Sequence, residues 1–163
     1  MVGAAAYRFR RNPRDYAVIN YMACQDGFTL NDMVTYNYRH NEANQENNQD
    51  GSRLQLFMEL WCGRTKQKVA GPSDARTSDK KCVSYDAAQP GSALIYGGDE
   101  IGNSQNGNNN AYCQDNQVGW IDWKGMKKNR ELLEFVKSAI AFRKEHPILH
   151  VPDELRGVDY KTK

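Results

Sequence analysis

Large apolar side chains are scarce in this 163-residue chain: Leu, Ile, Val and Phe make up fewer than a fifth of it, and the mean hydropathy is −0.83. That is half of the signature of disorder; the other half, a high net charge, is missing, with 22 basic against 20 acidic residues. A thin core is the expectation. The balanced charge provides no field for nucleic acid or anionic lipid. Two short basic clusters, 8–14 and 124–130, read as solvated ends of elements rather than phosphate contacts. No apolar run has the length of a membrane span. The first residues, MVGAAAYRFRR, place their charges after the small residues, unlike a signal peptide, and there is no Asn-x-Ser/Thr acceptor. A cytoplasmic protein is expected. Four cysteines (Cys24, Cys62, Cys82, Cys113) show no C-x-x-C spacing, so free thiols are expected and zinc is not. With only three histidines no transition-metal site is expected, and no D-x-D-x-D-G spacing suggests calcium.

What is present centres on residues 19–51. The apolar run Ala17 to Cys24 reads as a strand buried on both faces. It stops at Gln25, Asp26 and Gly27, which would deliver a carboxylate to the rim of a sheet or barrel. Phe28 to Tyr38 can start a short helix, with Thr29 as N-cap and Asp32 three residues on. His40 to Gly51 reads as an amide-rich loop. In it, as in the short helix before it, the carboxylates Asp32, Glu42, Glu46 and Asp50 are expected to be solvated, and His40 is expected to be an exposed bystander.

Further along, Leu54 to Trp61 is apolar and fits either a strand or a buried helical turn. Arg64 to Ser92 is expected to be loop with at most one turn of helix: its large apolar residues are Val69, Val83 and Tyr85, and Gly71-Pro72 and Pro90-Gly91 interrupt it. A strand, Ala93 to Tyr96, follows and ends in Gly97-Gly98-Asp99-Glu100, with loop from Gly102 to Asn116. Asn129 to Glu145 is the clearest helix. Asn129 can cap it, Leu132, Phe135, Val136, Ala139, Ile140 and Phe142 form its stripe, and Pro147 follows its end. His146 and His150 beside Pro147 read as structural.

Three stretches in order, INYMACQDGFTL, YGGDEIGNSQNGNNNAYCQDN and WIDWKGMKKNRELLEFVKSAIAFRKEHPILH, resemble the α-amylase superfamily (glycoside hydrolase family 13). The nearest pattern is its isoamylase, pullulanase and glycogen-debranching branch. The resemblance implies an α/β fold: a partial (β/α)8 barrel made of its last two β/α units with long loops. It divides the chain into a non-matching segment 1–16, a barrel fragment 17–150 in which 64–92 departs from the family, and the start of a linker, 151–163. A whole barrel needs about 250 residues and eight strands.

The implied activity is hydrolysis of α-1,6-glucosidic branch linkages in glycogen or starch-like glucans, by a retaining mechanism without cofactor. Retaining glycosidases use two carboxyl groups about 5–5.5 Å apart. The family's nucleophile Asp and general acid Glu lie on strands that would precede Met1. By motif position Asp26 matches a third family carboxylate, the Asp that holds sugar hydroxyls and supports the transition state; the other reading makes it a turn former. Gln25 stands where the family has a sugar-binding His, which should weaken the grip on substrate. Asp99 and Glu100 would either line the floor of the glucan site or tie their loop to the rim through backbone hydrogen bonds. Tyr112 is a candidate for stacking on a sugar ring, whereas Trp120 and Trp123 are expected to pack the last unit against its strand. The expected partner is an α-glucan, with no nucleic acid and no membrane, and with another chain as a source of the missing strands. The alternative function is a non-catalytic glucan-binding or interaction fragment.

Overall fold

The computed structural model describes residues 19–52, 72–89 and 91–150. Segments 1–16 and 151–163, and the apolar stretch Leu54 to Trp61, lie outside the described residues. Two short strands, β1 (Ile19–Asn20) and β2 (Ser92–Ala93), pair in parallel with Ile19 opposite Ser92 and Asn20 opposite Ala93. A parallel pair needs a long crossover, and here it includes two helices, α1 (Leu30–Thr35) and α2 (Pro72–Ala88). After β2 come a 3-10 turn (Asp99–Ile101), a long loop, the short helix α3 (Gly125–Lys128) and α4 (Arg130–Glu145). The core is small: Ala23, Leu30, Cys82, Val83, Leu132 and Val136, flanked by Met22, Met33, Ile95, Tyr96 and Phe135. It is where α1, α2 and α4 meet the residues that follow the two strands.

Several expectations are corrected. Residues 17 and 18 lie outside the described part; in the remainder of Ala17 to Cys24 only Ile19–Asn20 is strand. It is not buried on both faces, since Ile19 is 55% exposed and Tyr21 52%. Two strands leave each outer edge without a described neighbour. The strand expected at Ala93 to Tyr96 is Ser92–Ala93.

The larger correction is α2. The segment expected to be loop forms a 17-residue helix from Pro72 to Ala88. Its buried positions are Asp79, Cys82, Val83 and Asp86, spaced as one helical face, with carboxylates where an apolar stripe would carry Leu. Each buried acid has a partner. Asp79 pairs with Arg76 at 3.0 Å, one turn back, and Asp86 accepts from the backbone N–H of Met22 at 3.1 Å. Pro72 occupies the first helical position, where its missing N–H and fixed φ are no handicap. The end of α2 is held by Arg143 of α4, whose guanidinium donates to the carbonyls of Ala87, Gln89 and Gly91. These carbonyls at or just past the helix end have no partner within it, and the cation suits the negative end of the helix.

The helices expected within Phe28 to Tyr38 and over Asn129 to Glu145 are present as Leu30–Thr35 and Arg130–Glu145. Thr29 caps α1, its hydroxyl accepting from Asp32 N–H at 3.1 Å. Asn129 precedes α4 but does not cap it through its side chain; its amide donates instead to Ile101 O at 2.6 Å, tying α4 to the turn after β2. Of the expected stripe, Leu132 and Val136 are buried, while Ile140 and Phe142 are exposed, Phe142 stacking on His146. Trp120 and Trp123 are also exposed, not packed against a strand. No helix among the described residues is long and apolar enough to cross a membrane.

Candidate functional site

Because β1 and β2 run parallel, the segments that follow them leave the sheet from the same end. One carries Gln25 and Asp26 and continues through α1 into the loop 36–52; the other runs from Leu94 to Lys124. These two segments are joined by a lattice of side-chain amides.

Asp32 is the first link. It faces inward from α1, fully buried, and accepts from Ser104 Oγ at 2.5 Å, Gln105 N at 2.7 Å and Gly107 N at 3.3 Å. Burial pushes its carboxyl above the usual range, and these bonds pull it back. The expectation of a solvated Asp32 is therefore corrected: three donors of the other loop converge on it.

Asparagines make the remaining links. Asn41 Nδ2 donates to Asn109 Oδ1 at 2.8 Å, and Asn109 N–H returns a bond to Asn41 Oδ1 at 3.0 Å. Asn108 Nδ2 reaches Asn44 Oδ1 at 2.9 Å, and Asn44 Nδ2 reaches Asn110 O at 2.9 Å. Asp50, also expected to be solvated, receives Asn44 Nδ2 at 2.7 Å and Asn110 Nδ2 at 2.9 Å on one oxygen. The Asn44 bond is the chief reason that its carboxyl titrates below the usual range. Gly107, at φ +77, lies so close to Tyr36 that a Cβ there would stand 2.7 Å from the ring. Only glycine allows that approach.

The candidate residues are distributed unevenly over this scaffold. Gln25 and Asp26 stand exposed on the bend between β1 and α1, and Tyr112 is 74% exposed in a 3-10 turn (Ala111–Cys113). Asp99 is withdrawn. It is 2% exposed and accepts from Leu30 N–H at 2.9 Å, binding the turn after β2 to the start of α1. Burial, with smaller repulsions from Asp79, Glu100 and Asp32, pushes its pKa up to about 7. Glu100 folds back on its own turn and accepts from Gly98 N–H at 2.9 Å. His40 is exposed, edge-on to Tyr36 and 3.7 Å from Glu42.

Chemically, the exposed candidates are a carboxylate and an amide, which accept from and donate to hydroxyl groups, and, on the other loop, an aromatic face that can stack on a sugar. The described residues contain no group of three or more His, Cys, Asp or Glu that could hold a metal ion. Of the lattice residues, Asn41, Asn44 and Asn108 to Asn110 were not singled out from sequence. Their signal was two separate stretches of dense amides, in which each side chain could find its partner in the other.

Known proteins match this chain over most of its length. It is 43% identical over 144 residues to a glycogen operon protein GlgX homolog of Mycobacterium tuberculosis (strain ATCC 25618 / H37Rv), covering 83% of this chain and 19% of the relative. It is 39% identical over 146 residues to a glycogen debranching enzyme of Salmonella typhi, covering 86% and 21%. Among solved structures, a pullulanase from Bacillus acidopullulyticus superimposes with a TM-score of 0.58 at 19% identity, covering 82% of this chain and 13% of that one. At that identity the likeness bears on the fold, which is the α/β fold expected. No protein-family model matches the chain. The chain spans about a fifth of the length of these curated relatives. Over the matched residues, the chain is similar to GlgX homologs and glycogen debranching enzymes, the branch that its motifs resemble.

Proposed function

We propose that the chain carries part of the glucan site of an α-1,6-glucosidase of the debranching type and has no turnover by itself. In this reading β1 and β2 are the seventh and eighth strands of a (β/α)8 barrel, and the two knitted loops form one sector of its rim. Asp26 holds the hydroxyls of the sugar ring being cleaved and favours its distorted, oxocarbenium-like state. Gln25 contacts the same ring with hydrogen bonds that carry no charge, which weakens binding by roughly 1–3 kcal/mol relative to a charge-assisted donor. Tyr112 stacks on a neighbouring glucose. The nucleophile and the general acid of the retaining mechanism have no matched residue in this chain, so bond cleavage needs strands from elsewhere, on a longer chain or a partner.

The observation that carries the reading is the parallel pair β1–β2, which sends the Asp26 loop and the Asn-rich loop off one sheet end, where Asn41 and Asn109 clasp them together. Electrophoresis in gels containing glycogen tests it. The chain should be retarded relative to a glycogen-free gel, and Asp26→Ala should restore mobility. Equal mobility in both gels removes the glucan claim. Retardation untouched by Asp26→Ala favours the second reading, a non-catalytic glucan-binding fragment that grips through Tyr112 and other exposed aromatics.

A further inference from the structure

The glucan reading leaves the basic cluster 124–130 without a use, yet two of its cations line a cavity of about 1020 Å³ together with the exposed ring of Trp120. We propose that this cavity binds a phosphorylated hexose, the phosphate on Lys124 and Lys128 and the sugar ring against Trp120.

Lys124 has helical backbone angles and directly precedes α3, so Lys124 and Lys128 stand four residues apart on one helical face. Neither ammonium has an ion-pair partner among the described residues. Arg76, also on the wall, is engaged by Asp79 at 3.0 Å. The wall's one carboxylate, Asp122, accepts from the backbone of Lys124 at 3.1 Å. Positive charge is therefore in excess, and the two free ammoniums suit a phosphate dianion.

The remaining lining fits the sugar. Asn31 from α1, with Asn106 and Gln117 from the long loop, contributes side-chain amides that have no partner among the described residues. Amides both donate and accept, as hydroxyl groups require. Trp120 is 57% exposed and its Nε1 is fixed on Asp115 Oδ1 at 2.9 Å, so the ring is held at its edge while a face stays open. The cavity is far larger than a bare phosphate needs, and a neutral glucan has no need of the lysines. Gln25 and Asp26 are not among the lining residues, so this site goes beyond the glucan reading and stands without it.

The phosphomonoester could belong to a free hexose phosphate or to a phosphorylated unit within a glucan. Titration of the full 15N-labelled chain, following the Trp120 indole N–H resonance, tests the site and separates the sources. Probes are glucose 6-phosphate, a phosphorylated maltodextrin, inorganic phosphate and maltotriose. Saturable shifts with either phosphorylated sugar, and much weaker ones with phosphate or maltotriose, are the expected result. The tighter of the first two identifies the source. Lys124→Ala and Lys128→Ala, both at exposed positions, should each weaken binding about tenfold. The proposal is overturned by no shift, by an equal response to inorganic phosphate, by an equal response to maltotriose, or by unchanged affinity in both lysine variants.

Discussion

Asp99 makes the stability of this chain depend on pH in an unusual direction. Its pKa rises from 3.8 to about 7 because the carboxylate is buried near other carboxylates. The unfolded chain gives up this proton near 3.8, the folded chain near 7. The stability linked to it is thus fully present below 3.8 and is lost as pH rises through 7. A shift of roughly three units at about 1.4 kcal/mol per unit corresponds to about 4 kcal/mol, an upper figure for a group that can relax when charged. Asp79 and Asp86, each raised by burial to about 6, act in the same sense over a lower window. Asp99→Asn keeps an acceptor for Leu30 N–H and removes the charge. Urea unfolding followed by circular dichroism should show this variant more stable than the native chain at pH 8, by about 2–4 kcal/mol, and little different at pH 4. Asp99→Ala should instead cost about 1–3 kcal/mol at pH 4, because it strands the Leu30 N–H, while at pH 8 the charge it removes offsets that cost. The reasoning is refuted if the native chain is as stable at pH 8 as at pH 4 and Asp99→Asn gains nothing at pH 8.

Two further substitutions test the joints of the fold. Arg143→Ala removes the donor to three carbonyls at the end of α2 and should destabilise the chain by about 2 kcal/mol, with amide exchange accelerated first in the last turn of α2. Asn41→Ala breaks the reciprocal pair with Asn109 and a 3.0 Å bond to Asp50 O. It should leave α4 protected while limited proteolysis begins to cut within 39–52 and 104–114; unchanged cleavage would mean that the lattice does not hold the loops.

Elements with an apolar stripe or a local cap could be read from the sequence, and those built on distant polar pairs could not. Leu132 and Val136 announce α4, and Thr29 announces α1. Helix α2 escaped because a reading of hydrophobic period sees only Cys82 and Val83 on its inner face. Asp79 and Asp86 look like solvent positions until Arg76 and the Met22 N–H are placed beside them. Gly71-Pro72 looked like a break where the proline instead opens a helix. The same limit applies at the site. Asp26 stood out through its place after an apolar run, but the amide lattice joins residues more than sixty positions apart. Nothing local to Asn41 or Asn109 tells either side chain which partner it will find. Trp120 and Trp123 show the converse error: large aromatics were assigned to packing in a chain whose small core does not reach them.

The central claim, a glucan-binding sector without its own catalytic pair, is tested most directly by reducing-end release from pullulan. The purified 163-residue chain, first shown to melt cooperatively, should release no reducing ends above the enzyme-free blank. Release above the blank that Asp26→Asn abolishes would contradict it, for the chain would then contain its own nucleophile and acid.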